Sequence, residues 1–348
     1  MMNKPTYIIG EIGQNHNGSV DIAKLLIEIL SRPVVDALFG EKMKGMDAVK
    51  LVKRDLDHEL TKSQMEKIYD SPHAFGKTYG EHRRYLELSE EEHFELFRYA
   101  KSRSLDLVET ICAIQALSLL RLFIPDRLKV ASRDLTNLPL LEAMAETKIP
   151  IILSTGMAGD KELDEALGVI TKYHTNISIL HCVSEYPAQY KNVNLKSINY
   201  LKAKYSNYSI GYSDHTIGIA TPIAAVALGA SIIEKHITID RKMKGTDQAG
   251  SLSIDGIERM VRDIRNLELS LGEDGLFVSN DVKIAKEKLE RSIASLNYLP
   301  AGHILRIEDL QLLSPGTGLR WTEKEKLVGK RLKTDINKNE LILPEDVE

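Results

Sequence analysis

Residues 208–237 carry the pattern that most constrains the fold. Two short β-branched runs, Tyr208–Tyr212 and Ser231–Ile237, flank an Ala-, Ile- and Leu-rich helical segment, Ile217–Ala230, in which Gly229 comes next to last. Strand, helix and strand in succession make the two strands parallel neighbours, because a crossover of this kind returns the chain in its starting direction. Their carboxyl ends then share one rim, and beside each end stands a histidine, His215 or His236. Neutral imidazole is a ligand for Mn, Fe, Co or Zn. With Asp214, Glu234, Lys235 and Asp247 close by in sequence, the pair points to a metal or anion site. A hydrogen-bonded packing role for each histidine is the plain alternative.

The same unit recurs upstream. Apolar runs at Thr6–Gly13, Met46–Val52, Leu105–Thr110, Arg127–Ser132, Ile149–Thr155 and Ile177–Val183 have strand length and composition. Helical spacing fills the gaps at Asp21–Leu30, Glu90–Lys101, Leu138–Thr147 and Lys161–Tyr173. After the last strand Ser253 can cap a helix with Ile257, Met260, Val261, Ile264, Leu267 and Leu271 on one face, ended by Gly272. Eight short strands alternating with helices predict an α/β chain folded as a (β/α)8 TIM barrel. A doubly wound open sheet is the alternative, but no G-x-G-x-x-G follows a strand to support dinucleotide binding.

Two stretches depart from the alternation. Lys53–Ser89 is a long polar connection rich in glycine, aromatic and basic residues, the composition of a lid or binding loop at a barrel mouth. Beyond a barrel domain over 1–273, residues 274–288 are charged and linker-like. Residues 289–348 then read as short strands with turns at Gly302, Gly316, Gly318 and Asn337, a small β-rich domain.

Composition excludes several classes. A net charge of −4 supplies no general field for nucleic acid or a membrane surface. No apolar run reaches spanning length, and M-M-N-K-P-T-Y lacks a signal-peptide core, so a cytoplasmic protein is expected. Cys112 and Cys182, the only two cysteines, lie in apolar contexts and give no disulfide framework.

In a barrel of this type the reactive groups sit at the carboxyl ends of the strands. Those ends offer Glu11, with Asn15 and His16 just beyond; Lys50 and Lys53; Thr110; Lys129, Ser132 and Asp134; Ser154 and Thr155; His181, Ser184 and Tyr186; and Ser213, Asp214, His215, Lys235, His236 and Asp247. Lysines inside strands are hard to explain without an anion, because a buried ammonium needs a partner. Lys50 and Lys129 with the hydroxyls of Thr110, Ser132, Ser154 and Ser213 suit a small, multiply charged anion such as a phosphate bearing a carboxylate. A divalent metal on the two histidines would polarise a carbonyl oxygen beside it, and Glu11 is the carboxylate for proton transfer.

The same residues carry a resemblance. I-I-G-E-I-G-Q-N-H-N-G, F-G-K-T-Y-G-E-H-R, I-I-L-S-T-G-M, L-H-C-V-S-E-Y-P, I-G-Y-S-D-H-T-I-G, A-L-G-A-S-I-I-E-K-H-I-T and K-G-T-D-Q-A-G-S-L, in that order, resemble the sialic acid (nonulosonic acid) synthase family across essentially the whole chain. The tail looks like that family's antifreeze-like (SAF) domain. The resemblance implies condensation of phosphoenolpyruvate with an N-acetylmannosamine-type hexose and release of phosphate by carbon–oxygen cleavage. It implies metal on His215 and His236, with Mn2+ the expected ion and Mg2+ or Co2+ the alternatives. Phosphoenolpyruvate would meet Lys50, Thr110, Lys129, Ser132, Ser154, Ser184 and Ser213, and the sugar would meet Asp134, Tyr186 and Asp247. It also implies a domain-swapped homodimer.

Some positions depart from the family pattern. Val52 stands where many relatives have glutamine, Cys112 where an aromatic is common, Ser184 where asparagine is common and Gln248 where histidine often follows the aspartate. Leu313-Ser314-Pro315-Gly316 offers no arginine where bacterial relatives use one for the acetamido group. The loop with Lys77, His82, Arg83 and Arg84 resembles that of the animal-type enzymes, which take a sugar 6-phosphate, and could grip a phosphate. Other functions weighed are a metal-dependent barrel aldolase using free pyruvate and a catalytically inactive sugar-binding protein.

Overall fold

The computed structural model describes residues 4–36 and 40–348. Met1–Asn3, part of the stretch read above as lacking a signal-peptide core, lie outside the described residues. The chain divides into two compact units, one ending at Gly272 and the other spanning Glu273–Glu348.

The first unit is a closed barrel of eight parallel strands in sequential order. They are β1 (Tyr7–Gly13), β2 (Ala48–Lys53), β3 (Asp106–Ile111), β4 (Arg127–Val130), β5 (Ile151–Ser154), β6 (Ile177–Cys182), β7 (Ser209–Asp214) and β8 (Ile232–His236). Every run predicted as a strand is one, trimmed or extended by one or two residues. β8 closes onto β1, with Glu11 facing His236 in the register. On its other side Glu11 faces Lys50 of β2, after which the register slips by a residue at Gly13.

The strands are apolar on both faces because each face is covered. Outside, the barrel wall packs against helices whose inner stripes join one large core, including Leu26, Ile27 and Leu30 of α1 (Val20–Ser31). Inside, Ile9, Ala48, Val108, Ile152, Leu180 and Ile232 fill the bottom of the bore. Helix ends follow from local chemistry. The Ser19 hydroxyl accepts from Ile22 N–H at the start of α1.

The connection read as a lid is built from short helices: Leu56–Glu59, Lys62–Glu66 and α2 (Tyr79–Leu86). A capping box between Thr78 and Glu81 starts α2, and a second between Ser89 and Glu92 starts α3 (Glu90–Ser102). Further helices around the barrel include α4 (Leu138–Glu146), α5 (Asp160–Ile170), α6 (Ser197–Lys204) and α7 (Ala220–Ala227). Between β3 and β4 the connection is a 3-10 helix, Ile114–Arg121. Ser253 stands at the N-cap of α8 (Ile254–Ser270) as expected, yet its hydroxyl makes no capping hydrogen bond.

In the second unit the stretch expected as linker carries helix α9 (Val282–Leu289). The β content beyond it is one antiparallel pair, β9 (Ser292–Ser295) with β10 (Leu310–Leu313), supported by isolated bridges and 3-10 turns. A small core containing Ile293, Leu305, Leu327 and Ile342 holds it together. Both cysteines are free and buried.

Candidate active site

The period of two along a strand builds the site. One step toward the carboxyl end from five of the six apolar residues in the bore stands a polar one on the same face; Leu180 is followed by Cys182. Ile9 is followed by Glu11, Ala48 by Lys50, Val108 by Thr110, Ile152 by Ser154 and Ile232 by Glu234. Stacked layers of inward side chains are the packing rule of such barrels. Here the upper layer is polar, and it forms the floor of a cavity of about 450 Å³ lined also by Lys129, Ser132, Ser184, Ser213, His215 and His236.

The floor is a network of buried charge. Lys50 Nζ lies 2.5 Å from Glu11 Oε2 and 3.5 Å from Glu234 Oε1, and donates to Thr110 Oγ1 at 3.2 Å. Lys129 Nζ donates to Ser154 Oγ at 2.6 Å and to the Val130 carbonyl at 2.9 Å. Ser213 Oγ donates to Glu234 Oε1 at 2.9 Å, and Ser132 Oγ accepts from Gly156 N–H at 3.0 Å. Among the described residues the buried Glu234 Oε2 has no hydrogen-bond partner. Lys50 faces three oxygens, whereas Lys129 uses two of its three N–H donors and keeps one for a ligand.

The two carboxylates around Lys50 differ. Burial lifts Glu11 well above the ordinary carboxylate range, against the pull of Lys50. Burial also acts to raise Glu234, but Lys50 and Lys129 outweigh it and hold that group below its ordinary value. Glu11 is thus the carboxyl that can exchange a proton near neutral pH, while Glu234 stays charged. Lys129 is pushed below its ordinary value by burial, and the Glu234 charge only partly restores it.

Above this floor the imidazoles of His215 and His236 stand with ring centroids 5.6 Å apart. His215 donates Nδ1–H to the Val183 carbonyl at 2.7 Å, which leaves Nε2 as its free lone pair. The buried Nδ1 of His236 has no hydrogen-bond partner. Two oriented imidazoles, one with an orphaned ring nitrogen, fit a divalent ion completed by water or substrate oxygens. Among the described residues no set of three or more His, Cys, Asp and Glu side chains converges as a metal cluster.

The rim is lined by Tyr186, which packs on the His215 ring at 4.2 Å between centroids, by Asp247, and by three arginines, Arg54, Arg83 and Arg133. Arg133 was not expected. It lines the cavity while the predicted Asp134 lies behind it, bonded to Arg133 Nε at 3.2 Å. Arg54 and Arg133 share Glu59, Arg133 at 3.0 Å. Among the described residues Arg83 bonds neutral partners alone, the Tyr79 hydroxyl at 2.8 Å and Gln14. Of the basic loop cluster it alone reaches the cavity: Arg84 pairs with Asp57 at 3.4 Å, and His82 is buried beneath Phe75. Several strand-end candidates face away. Lys53 donates to the Leu88 carbonyl at 2.6 Å, His181 bonds the Val193 carbonyl at 2.6 Å, and Asp214 pairs with Lys235 at 2.5 Å.

A polar layer above an apolar plug, at the carboxyl end of a (β/α)8 barrel, is the place where barrel enzymes carry their active sites. The NeuB family model matches residues 40–275 and the SAF domain model matches 290–348. The chain is 33% identical over 345 residues to N-acetylneuraminate-9-phosphate synthase of Homo sapiens, covering 99% of this chain and 93% of the relative. It is 34% identical over 348 residues to N,N'-diacetyllegionaminic acid synthase of Legionella pneumophila, covering 98% and 94%. Among solved structures it resembles N-acetylneuraminic acid (sialic acid) synthetase of Leptospira borgpetersenii in complex with citrate, with a TM-score of 0.66, 30% identity and coverage of 81% of this chain and 90% of that one. The chain belongs to the NeuB family.

Proposed function

We propose that the protein is a nonulosonic acid synthase, condensing phosphoenolpyruvate with N-acetylmannosamine or a related hexose. The observation that carries this reading is the floor of the bore: two buried lysines and a ring of hydroxyls, directly beneath two imidazoles. Lys50 and Lys129 bind the anion's phosphate and carboxylate, and Thr110, Ser132, Ser154, Ser184 and Ser213 give it direction. A divalent ion on His215 and His236, Mn2+ by expectation and otherwise Mg2+ or Co2+, supplies a Lewis acid for the open-chain sugar's carbonyl oxygen.

The C2=C3 π electrons of phosphoenolpyruvate form the new bond from carbon three to the sugar aldehyde carbon, whose oxygen takes up a proton and becomes a hydroxyl, leaving carbon two as an oxocarbenium. Water adds to carbon two and gives one proton to Glu11; the remaining hydroxyl then loses its proton as carbon two becomes the ketone and phosphate leaves with its bridging oxygen and that proton. Lys50, fixed between Glu11 and Glu234, holds the charge of the departing phosphate. Tyr186 and Asp247 meet the sugar, and Arg133 stands at the cavity wall where Asp134 was expected.

A 6-phosphorylated acceptor is the second reading, favoured by Arg83, a guanidinium at the cavity with neutral partners alone. The enzyme works in the cytoplasm as a homodimer in this proposal. Leu276, Phe277 and Val278 are exposed, as are Val282, Ile284 and Leu289 of α9, an apolar run that a second copy would cover. No helix among the described residues is long and apolar enough to cross a membrane.

The test is phosphate release from phosphoenolpyruvate by purified protein with Mn2+, with and without chelator. The acceptors are N-acetylmannosamine, its 6-phosphate, mannose, mannose 6-phosphate and a 2,4-diacetamido-6-deoxyhexose. Chelator-sensitive release with one of them is expected. Turnover of free pyruvate without phosphate release would replace the synthase with an aldolase, and no turnover with no thermal protection by phosphoenolpyruvate would leave a binding protein.

A further inference from the structure

Behind the two histidines, on the outer face of the barrel wall, lies a second buried charge system that the reaction does not touch. Asp214 and Lys235 are paired across β7 and β8 in the sheet register, one step out of phase with the inward-facing Ser213 and Glu234. Lys235 Nζ lies 2.5 Å from Asp214 Oδ2 and also donates to the carbonyl of Thr216. The remaining capacity of Asp214 is filled. Oδ1 accepts from the Tyr212 hydroxyl at 2.8 Å and from Thr216 N–H at 2.9 Å. Oδ2 accepts from Thr216 Oγ1 at 3.2 Å and from Thr221 Oγ1, at the start of α7, at 3.1 Å. Lys235 and Asp214 are each 1% exposed, so this knot is shut away from bulk solvent.

The knot is placed on either side of the histidines in sequence. Asp214 immediately precedes His215, and Thr216, gripped by both its N–H and its carbonyl, immediately follows it. Lys235 immediately precedes His236. His215 is also one residue beyond the end of β7, where ladder hydrogen bonds no longer hold the backbone. A side-chain network therefore does there what the sheet does elsewhere.

We propose that Asp214 and Lys235 are positioning residues that set the distance and orientation of the two imidazoles for a shared divalent ion. The inference rests on the reading of His215 and His236 as metal ligands. The pair touches neither ring and acts through the backbone that carries them, so its removal is expected to weaken metal binding by less than the about 10- to 100-fold typical of a ligand's own hydrogen-bond partner. Simple packing is the competing role, and it predicts loss of stability without loss of affinity in whatever remains folded.

The experiment measures Mn2+ affinity by electron paramagnetic resonance titration of the full-length protein, beside urea denaturation of the same samples. The variants are Lys235→Met, Asp214→Asn, the double variant carrying both, and Thr221→Val. Either single change leaves one buried charge unpaired and can unfold the barrel. The double variant removes both charges together and is expected to fold, because exchanging a whole buried pair for neutral groups is often tolerated. The expected result is a folded double variant whose Mn2+ affinity falls by about three- to ten-fold, with Thr221→Val weaker by a smaller factor. Wild-type affinity in the folded double variant overturns the proposal and leaves the metal reading standing. Absence of Mn2+ uptake by the wild-type protein removes the metal reading and this proposal with it. Failure of the double variant to fold, with unchanged affinity in Thr221→Val, assigns the pair to stability alone.

Discussion

Two lysine–carboxylate systems share one barrel wall, a single residue out of phase. Facing the bore, Lys50 stands between Glu11 and Glu234, and Lys129 beside them uses only two of its three N–H donors. Facing the helices, Lys235 and Asp214 form a knot in which every carboxylate position is taken. Both are buried, so burial alone does not distinguish function from structure. The difference lies in unused bonding capacity: a group that must meet a ligand cannot be saturated by its own protein, whereas one that holds the fold is best saturated completely.

The sharpest break of that contrast exchanges the lysines for methionine. Lys129→Met is expected to lower kcat for phosphate release by about 10²- to 10³-fold while leaving the urea midpoint unchanged or higher, since an anion site is destabilising until filled. Lys235→Met is expected to cost about 3–5 kcal/mol of stability, because Asp214 is left charged and buried. Paired denaturation and turnover measurements check both, and the reverse assignment of losses would end the distinction.

A smaller effect comes from a buried ionisable side chain in neither system. Burial pushes His16 down to about 4, and its Nδ1 accepts from Gly18 N–H at 3.0 Å. The unfolded chain takes up this proton first, at about 6.5, so the folded state is fully favoured above that pH and loses ground as pH falls toward 4. The loss is on the order of 3 kcal/mol. Urea midpoints measured from pH 7 to pH 4 should fall for the wild type and less steeply for His16→Gln.

The smallest effects separate neighbours on α2. Arg84 and Asp57 are an exposed pair at 3.4 Å, so Arg84→Gln should change stability by less than about 1 kcal/mol and leave KM alone. Arg83→Gln should raise KM about ten-fold for a 6-phosphorylated hexose and not for its unphosphorylated form. An equal change for both sugars would reject the phosphorylated acceptor.

The legible parts of the molecule are those governed by short periods. Strand positions follow from apolar runs, and the inward lysines at 50 and 129 stand out because nothing else in a buried strand tolerates them. The same period of two puts Asp214 and Lys235 outside once Ser213 is taken as inward, a signal that choosing candidates by strand end alone discards. Arg133 was not legible. Its side chain reaches the cavity through the 3-10 turn Ser132–Asp134, where no strand alternation decides which residue faces in. The helices of the insertion are short and polar, yet the start of α2 was written as T-x-x-E at Thr78–Glu81, as was that of the following α3 as S-x-x-E at Ser89–Glu92.

The insertion's own contacts carry one more consequence. Arg83 holds Gln14 in the loop after β1, Lys244 in the loop after β8 lies over the Phe75 ring, and Gly245 N–H meets the His73 ring at 3.4 Å. Each of these contacts has at least one uncharged partner, so dissolved salt has little leverage on them, whereas it screens exposed ion pairs such as Arg84–Asp57. Ionic strength is therefore a selective dial on the insertion: raising it loosens the outer ion pair of α2 while the contacts to the loops after β1 and β8 keep their grip.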